Sequence, residues 1–293
     1  MIDIVGATLE LLRPRQWPKN LLLFAALVFS GAFMDLASDL RALQALAAFL
    51  LLSSSVYAFN DIHDLESDRH HPVKKNRPLA SGRLGVPAGW AICVVSLALG
   101  LALASVIGRG FFYAAAGYVI SSTAYTLVFK HHVILDVFFV ASGFVLRAVA
   151  GALAINARIS PWLLVCTSLL ALFLALSKRR AEITLLKDGA GSHRRALEEY
   201  SPALLDQMIS VVASATVVAY SLYAFLEHNA SGSPWMMLTV PFVLYGIFRY
   251  LYLSHKKGLA GAPELILLRD LPMQLNILLW VTTAAIILHM GGI

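Results

Sequence analysis

Charged residues are scarce in this chain, and cysteine is almost absent. Only 14% of its 293 residues are Asp, Glu, Lys or Arg, against 59% hydrophobic. A soluble domain of this length needs no such apolar excess, so the composition points to an integral membrane protein. The two cysteines, Cys93 and Cys166, lie inside apolar runs. There they read as small buried hydrophobes and not as a disulfide or metal pair. Gly-x-Ser-x-Gly, the P-loop and the dinucleotide fingerprint are all missing, which leaves covalent nucleophilic catalysis without support. The only close histidine pairs, His70-His71 and His131-His132, lack the i, i+4 spacing of a helical zinc site. The first 20 residues have no basic n-region leading into an apolar core and a small-residue cleavage site, so no cleavable signal peptide is expected.

What the chain has in quantity is apolar runs of spanning length. They fall at about 20–34, 41–59, 87–107, 111–129, 133–155, 161–177, 204–226, 235–253 and 272–290. This predicts an all-α, polytopic membrane helical bundle of about nine transmembrane helices. Residues 1–13 are expected to form a short amphipathic helix on the membrane surface, with Ile4, Val5, Leu9 and Leu12 on one side. Arg13-Pro14-Arg15-Gln16-Trp17-Pro18-Lys19-Asn20 then enters the bilayer, with Trp17 as an interfacial anchor. With the N-terminus in the cytosol, 19 of the 23 Lys and Arg residues fall on the cytosolic side, three fall outside, and Arg147 lies within a span. That bias orients the chain in the cytoplasmic (inner) membrane. It also accounts for the net charge of +6 without nucleic acid as a partner. The two long cytosolic loops follow the second and sixth spans, a spacing that suggests an internal duplication with two loops capping one cavity.

The first of those loops carries the densest chemistry. The stretch YAFNDIHDLESDRHHPVKKNRPLASGR, residues 57–83, crowds Asp61, Asp64, Glu66 and Asp68 ahead of Lys74, Lys75, Arg77 and Arg83. If the preceding helix continues through Asn60, Asp61, Asp64 and Asp68 fall at i, i+3 and i+7 on one face. Asn60, Asp64 and Asp68 form an overlapping i, i+4, i+8 stripe. Asp61 and Asp68 are then roughly 10 Å apart along the axis. Carboxylates stacked this way repel one another unless a positive charge sits between them. Mg²⁺ suits such oxygen ligands and commonly shares them with substrate phosphates; the basic residues that follow would hold the rest of a phosphorylated substrate. The plainer reading is a solvated acidic loop followed by headgroup anchors, but three acids and an amide in register at a membrane surface weigh against it.

The second loop opens Lys178-Arg179-Arg180-Ala181-Glu182. Anchoring to anionic lipid accounts equally well for Arg180, Arg194 and Arg195, whereas Lys178 and Arg179 lie nearer the expected cavity as phosphate contacts. Glu182 has three roles open to it: completing a metal shell, orienting a basic neighbour, or binding a substrate hydroxyl. Tyr200 is a hydrogen-bond donor or a membrane-interface tyrosine. Asp136 and Arg147 share a face of the fifth span three turns apart, where structural pairing competes with substrate contact. The small residues Ser142, Gly143, Gly151 and Ala152 allow close helix approach there. Lys130, at the mouth of that span, is an anion contact or a headgroup snorkeller.

Asn60-Asp61-x-x-Asp64-x-x-x-Asp68 followed by Arg77-Pro78-Leu79-Ala80-Ser81-Gly82 resembles the first motif of the UbiA-type intramembrane prenyltransferase superfamily. Arg13-Pro-x-x-Trp17-Pro-Lys19-Asn20, Leu-x-Arg147-Ala-x-Ala-Gly151 and the nine-span layout agree, so the resemblance covers residues 1–293 as a single domain. It implies a helical bundle whose cytosol-facing cavity binds Mg²⁺ and a diphosphate, with Asn60, Asp61, Asp64 and Asp68 as metal-binding and catalytic residues. Members that prenylate aromatic rings carry a second Asp-rich motif after span six. Here that position holds Lys178-Arg-Arg-Ala-Glu182, with only Asp188 nearby. One acidic motif facing a basic second loop suits one metal-bound diphosphate plus a separate phosphate. Together with the closing Pro263-Glu264-x-x-Leu-Leu-Arg-Asp270 stretch, this looks like the branch that moves phosphoribose from 5-phosphoribosyl diphosphate onto a polyprenyl phosphate for cell-wall glycolipid synthesis. Lys19, Lys74, Arg77, Lys130, Lys178 and Arg179 would divide the phosphates among them, with Arg147, Glu182 and Tyr200 as further substrate contacts. The alternatives are prenyl transfer from a polyprenyl diphosphate to an aromatic acceptor, and a transporter or lipid carrier with a central polar site. Oligomeric state stays open, a homo-oligomer included.

Overall fold

The computed structural model describes residues 2–33, 35–186, 196–229, 234–257, 266 and 269–291, and every regular element among them is a helix. Three short 3-10 turns (Lys74–Asn76, Phe129–His131 and Pro234–Thr239) apart, these are in order α1 (Ile2–Leu12), a 3-10 segment (Pro14–Phe24) running into α2 (Ala25–Phe29), α3 (Leu36–His63), α4 (Leu65–His70), α5 (Val86–Ile107) and α6 (Arg109–Leu127). Then come α7 (Leu135–Ala154), α8 (Pro161–Leu186), the short α9 (Ala196–Glu199), α10 (Pro202–Asn229), α11 (Val240–Lys257) and α12 (Leu271–Gly291). Lys187, Asp188, Arg194, Arg195, Pro263 and Glu264 lie outside the described residues.

Local sequence explains where these helices start and turn. Asp35 caps α3, accepting from the Ser38 N–H at 3.0 Å and its hydroxyl at 2.6 Å. α8 and α10 open on Pro161 and Pro202, at a position whose missing N–H would have had no helical partner. α5 passes to α6 through Gly108 alone, at φ 153.

Among the described residues, seven helical stretches are long and apolar enough to cross a membrane: α3, α5, α7, Pro161–Thr184, Pro202–Leu226, Trp235–His255 and Leu271–Leu288. The expected first and fourth spans are the two that differ. The first is a 3-10 segment with Pro18 inside it, followed by only five α-helical residues, because proline breaks the i→i−4 ladder. The fourth, α6, carries Ser121, Ser122, Thr123 and Thr126 in its second half, and two of these bond to neighbouring helices. α1 also departs from the simple amphipathic picture. Ile4, Val5 and Leu9 are exposed, but Ala7 and Leu11 are fully buried against Ala58, Leu79, Leu84 and Cys93. One face of α1 docks on the protein while the other is exposed.

Two of the apolar cores share α7. Phe49, Leu52, Phe111 and Tyr118 pack with Ala150 and Ala154 of α7 in one. Phe173, Leu205, Tyr250 and Leu253 pack with Val137 of α7 in the other. Lipid tails are as apolar as leucine, so helix association here depends on close packing and interhelical hydrogen bonds. Gly151 shows how close: a Cβ there would stand 2.1 Å from the Leu23 carbonyl oxygen. The 3-10 segment therefore lies directly on the α7 backbone. Gly151→Ala is expected to lower the thermal midpoint of the purified protein, at a cost of about 1–3 kcal/mol for overpacking. Gly117→Ala, whose Cβ would meet only Leu146 at 3.8 Å, should leave the midpoint unchanged or raise it. Equal midpoints in the two variants would refute the close approach.

Candidate functional site

α3 ends at His63, Asp64 takes φ −90 and ψ 7, and α4 starts again at Leu65. Helical bonding bridges this break, with Asp64 N–H to the Asn60 carbonyl at 2.9 Å and Asp68 N–H to the Asp64 carbonyl at 2.8 Å. Asp61 and Asp68 consequently converge on one guanidinium. Arg77 Nη1 stands 2.9 Å from Asp61 Oδ1 and 2.5 Å from Asp68 Oδ2. Asp64, at the break, pairs instead with Lys130, and Asn60 Oδ1 accepts from the Thr126 hydroxyl. Arg13 also reaches Asp61 Oδ1, with its guanidinium carbon 5.0 Å from the Tyr57 ring centroid. Lys74 Nζ lies 3.8 Å from Asp68 Oδ1.

Asp61 and Asp68 are buried. Burial pushes the Asp68 carboxyl above the usual carboxylate range, while Arg77 and Lys74 pull it back. The loop that returns Arg77 is itself anchored. His71 Nδ1 accepts the N–H groups of Val73 and Lys74 at 3.1 and 3.2 Å. Arg77 N–H bonds the Lys74 carbonyl at 2.9 Å, and Leu79 is buried in the α1–α3 core.

A second polar node forms where the first turn of α7 meets the C-terminal part of α8. The buried Arg179 donates from Nε to Asp136 Oδ2 at 2.6 Å, from Nη1 to Glu182 Oε2 at 2.6 Å and from Nη2 to the Tyr125 hydroxyl at 2.9 Å. Tyr200 donates to Asp136 Oδ1 at 2.9 Å and accepts the Ile134 N–H at 2.7 Å. Burial, and after it the Asp136 charge, raises the Tyr200 phenol well above its ordinary range, so it stays protonated as a donor. Ile134 sits at φ 68, a conformation that β-branched residues avoid and that concentrates at functional sites. Tyr125 and Thr126 are consecutive, so the last turn of α6 touches both nodes at once. Lys178 is half-buried beside Arg179, and Arg180 turns away to Asp206 at 3.0 Å.

Arg147 lies deeper in the bundle. Nε donates to Asn20 Oδ1 at 2.8 Å, Nη1 to the Gly143 carbonyl at 2.8 Å and Nη2 to the Tyr118 hydroxyl at 2.9 Å, with Asn20 passing a bond on to Ser53 at 3.1 Å. Its charge also lies over the Tyr118 ring, 4.5 Å from the centroid. Asp136 and Arg147, on one face in the sequence reading, thus belong to different networks. Lys19 is half-buried in the 3-10 segment beside Asn20.

Sequence reasoning did not single out Arg13, Tyr57, Tyr125 or Thr126 for the site. Arg13 was legible in principle, standing first in the Arg13-Pro-x-x-Trp17 pattern. The hydroxyl residues of α6 carried no signal, since only packing decides which of them face another helix. Among the described residues no three His, Cys, Asp or Glu side chains gather around one point to hold an ion, because Arg77 and Lys130 stand between the carboxylates. The donor set nevertheless fits a hard cation: Asn60, Asp61, Asp64 and Asp68 offer only oxygens.

A membrane-embedded helical bundle with this acidic motif is the architecture of an intramembrane transferase. The chain belongs to the UbiA prenyltransferase family, whose profile matches residues 21–277. It is 33% identical over 286 residues to a decaprenyl-phosphate phosphoribosyltransferase of Corynebacterium glutamicum, covering 95% of this chain and 86% of that protein. It is 36% identical over 300 residues to the Mycolicibacterium smegmatis protein of the same name, covering 96% and 92%. In fold it resembles a UbiA homologue from Archaeoglobus fulgidus solved with GPP and Mg²⁺, at TM-score 0.75 and 23% identity over 96% of this chain and 99% of that one.

Asp136 is completely buried, and removing one partner of a buried ion pair costs about 3–5 kcal/mol. Asp136→Ala should therefore lower the thermal midpoint sharply or prevent isolation of monodisperse protein. A wild-type midpoint would show that Arg179 is held by Glu182 and Tyr125 alone.

Proposed function

We propose that this protein transfers 5-phosphoribose from 5-phosphoribosyl diphosphate to a polyprenyl phosphate and releases diphosphate, in the cytoplasmic membrane with the site facing the cytosol. The observation that carries this reading is the second node. Across Tyr125 and Thr126 from the Asn60–Asp68 motif lies a guanidinium–carboxylate cluster, Arg179 with Glu182, where a second pair of aspartates would serve prenyl transfer. The identity to relatives of that name, over nearly their whole length, supports the same reading.

Asn60, Asp61, Asp64 and Asp68 would hold Mg²⁺. When bound there it would neutralise the charge that grows on the leaving diphosphate. The protein's own cations do the rest by exchange. Arg77, Lys74 and Lys130 now neutralise the carboxylates. With donor in place they turn to phosphate oxygens, Arg77 as a fork and the lysines as point charges. Lys19 and Lys178 supply further positive charge for the ribose 5-phosphate and the lipid phosphate. Arg179 acts chiefly by fixing Glu182, whose carboxylate is placed to accept a ribose hydroxyl. Tyr200 holds Asp136 and, through it, Arg179 in position. Arg147 fixes the 3-10 segment that carries Lys19.

As the C1–O bond to the diphosphate breaks, the bonding pair leaves with the diphosphate and the ring takes on oxocarbenium character. An oxygen of the lipid phosphate, already anionic at neutral pH, forms the new bond to C1. The attack needs no general base. Electrostatic complementarity to the leaving group is therefore the main source of acceleration.

The test is purified protein with Mg²⁺, labelled 5-phosphoribosyl diphosphate and a polyprenyl phosphate, with label counted in the organic phase. A parallel reaction offers a polyprenyl diphosphate and 4-hydroxybenzoate. Label should move only when metal and lipid phosphate are both present, and chelation should abolish it. Product in the parallel reaction alone would replace this reading with prenyl transfer. Asp64→Ala should reduce turnover by at least about a hundredfold while the protein remains folded, and full activity in that variant would remove the acidic motif from the mechanism.

A further inference from the structure

Arg13 is the cation at the site that the reading above leaves without a task. It lies between α1 and the 3-10 segment, at φ 53 and ψ 62, a left-handed conformation that a non-glycine residue rarely adopts. The chain is held there from both sides. The Leu12 carbonyl accepts from the Ser54 hydroxyl at 3.0 Å and from Trp17 Nε1 at 3.3 Å. Leu11, just before it, is completely buried. Beyond it, Gly151 and Arg147 clamp the 3-10 segment at Leu23 and Asn20. This irregular turn carries the guanidinium over Tyr57 and onto Asp61, a buried carboxylate already satisfied by Arg77. Two guanidinium groups on one carboxylate oxygen are more than charge balance there requires.

The surplus has a use. Asp61, Asp64 and Asp68 face Arg13, Arg77, Lys74 and Lys130, one cation more than the acids. A diphosphate ester brings about three negative charges at neutral pH, and a divalent cation returns two. The loaded site is neutral with Arg13 and one charge short without it. We propose that Arg13 is a further substrate-binding residue, which leaves Asp61 for a phosphate oxygen of the donor when the site fills. The proposal rests on the reading that the donor is a diphosphate ester bound with a divalent cation. It does not depend on which group the diphosphate carries.

Inorganic diphosphate is the probe, titrated calorimetrically with and without Mg²⁺ into full-length protein in lipid nanodiscs. Wild type, Arg13→Gln and Arg13→Lys are compared, with the ligand-free thermal midpoint of each. Arg13→Gln should bind diphosphate about tenfold to a hundredfold more weakly. Arg13→Lys, which keeps the charge but loses the fork and the aromatic stacking, should bind several-fold more weakly. In turnover the KM for the donor should rise more than kcat falls. A residue that only holds Asp61 in place would lower the midpoints and leave diphosphate affinity unchanged, and that result overturns the proposal. Should Arg13→Gln not fold, Arg13→Lys decides by the same criterion. If the wild type itself fails to bind diphosphate with Mg²⁺, the diphosphate-donor reading falls and this inference with it. Normal wild-type binding with unaltered variants removes the inference alone.

Discussion

A carboxylate withdrawn from water must meet a cation, and this constraint organises the end of the bundle that carries the acidic motif. Asp61 and Asp68 are buried on one side, Asp136 on the other, and a buried charge left without a partner is costly. Arg77 closes the first pair and Arg179 the third acid. Each arginine comes from a different part of the chain than its carboxylate. Pairing therefore fixes how the loop after α4 folds back over α3, and how α8 docks against α7.

The same ion pairs explain how one site can be both stable and receptive. Without substrate, the acids and bases neutralise one another. In the proposed reaction a metal-bound diphosphate would offer each partner an equivalent replacement, the carboxylates gaining a cation and the basic groups gaining phosphate oxygens. Exchange of this kind would leave no buried charge unpaired at either end of the process, and so would carry a smaller desolvation penalty than stripping one ion of its partner.

Position in the bundle rests on a different interaction. α7 belongs to both apolar cores, receives the 3-10 segment against Gly151, and holds that segment's Asn20 through Arg147. Because lipid supplies no hydrophobic drive between helices, these small-residue contacts and buried hydrogen bonds do the holding. α6 adds the link between the two nodes, through Tyr125 on Arg179 and Thr126 on Asn60.

The amino-acid sequence by itself determined the helical membrane class, the acidic motif with its following basic loop, and the second cluster at Lys178–Glu182. Those follow from local facts: apolar run length, and charges too costly to leave at such positions without a purpose. The i, i+3, i+7 spacing correctly put Asp61 and Asp68 on a common face, since helical periodicity acts within a few residues. Only the tertiary structure decided the partners. The break at Asp64 sends that carboxylate to Lys130, Arg179 turns inward to Asp136 and Glu182, Arg147 takes neutral neighbours in place of Asp136, and Arg13 leaves the membrane surface for Asp61. Apart from Arg179–Glu182 and Arg147–Gly143, these pairs join residues far apart in the chain. Their choice depends on which helix faces which at close range, a property of side-chain packing that no local pattern encodes.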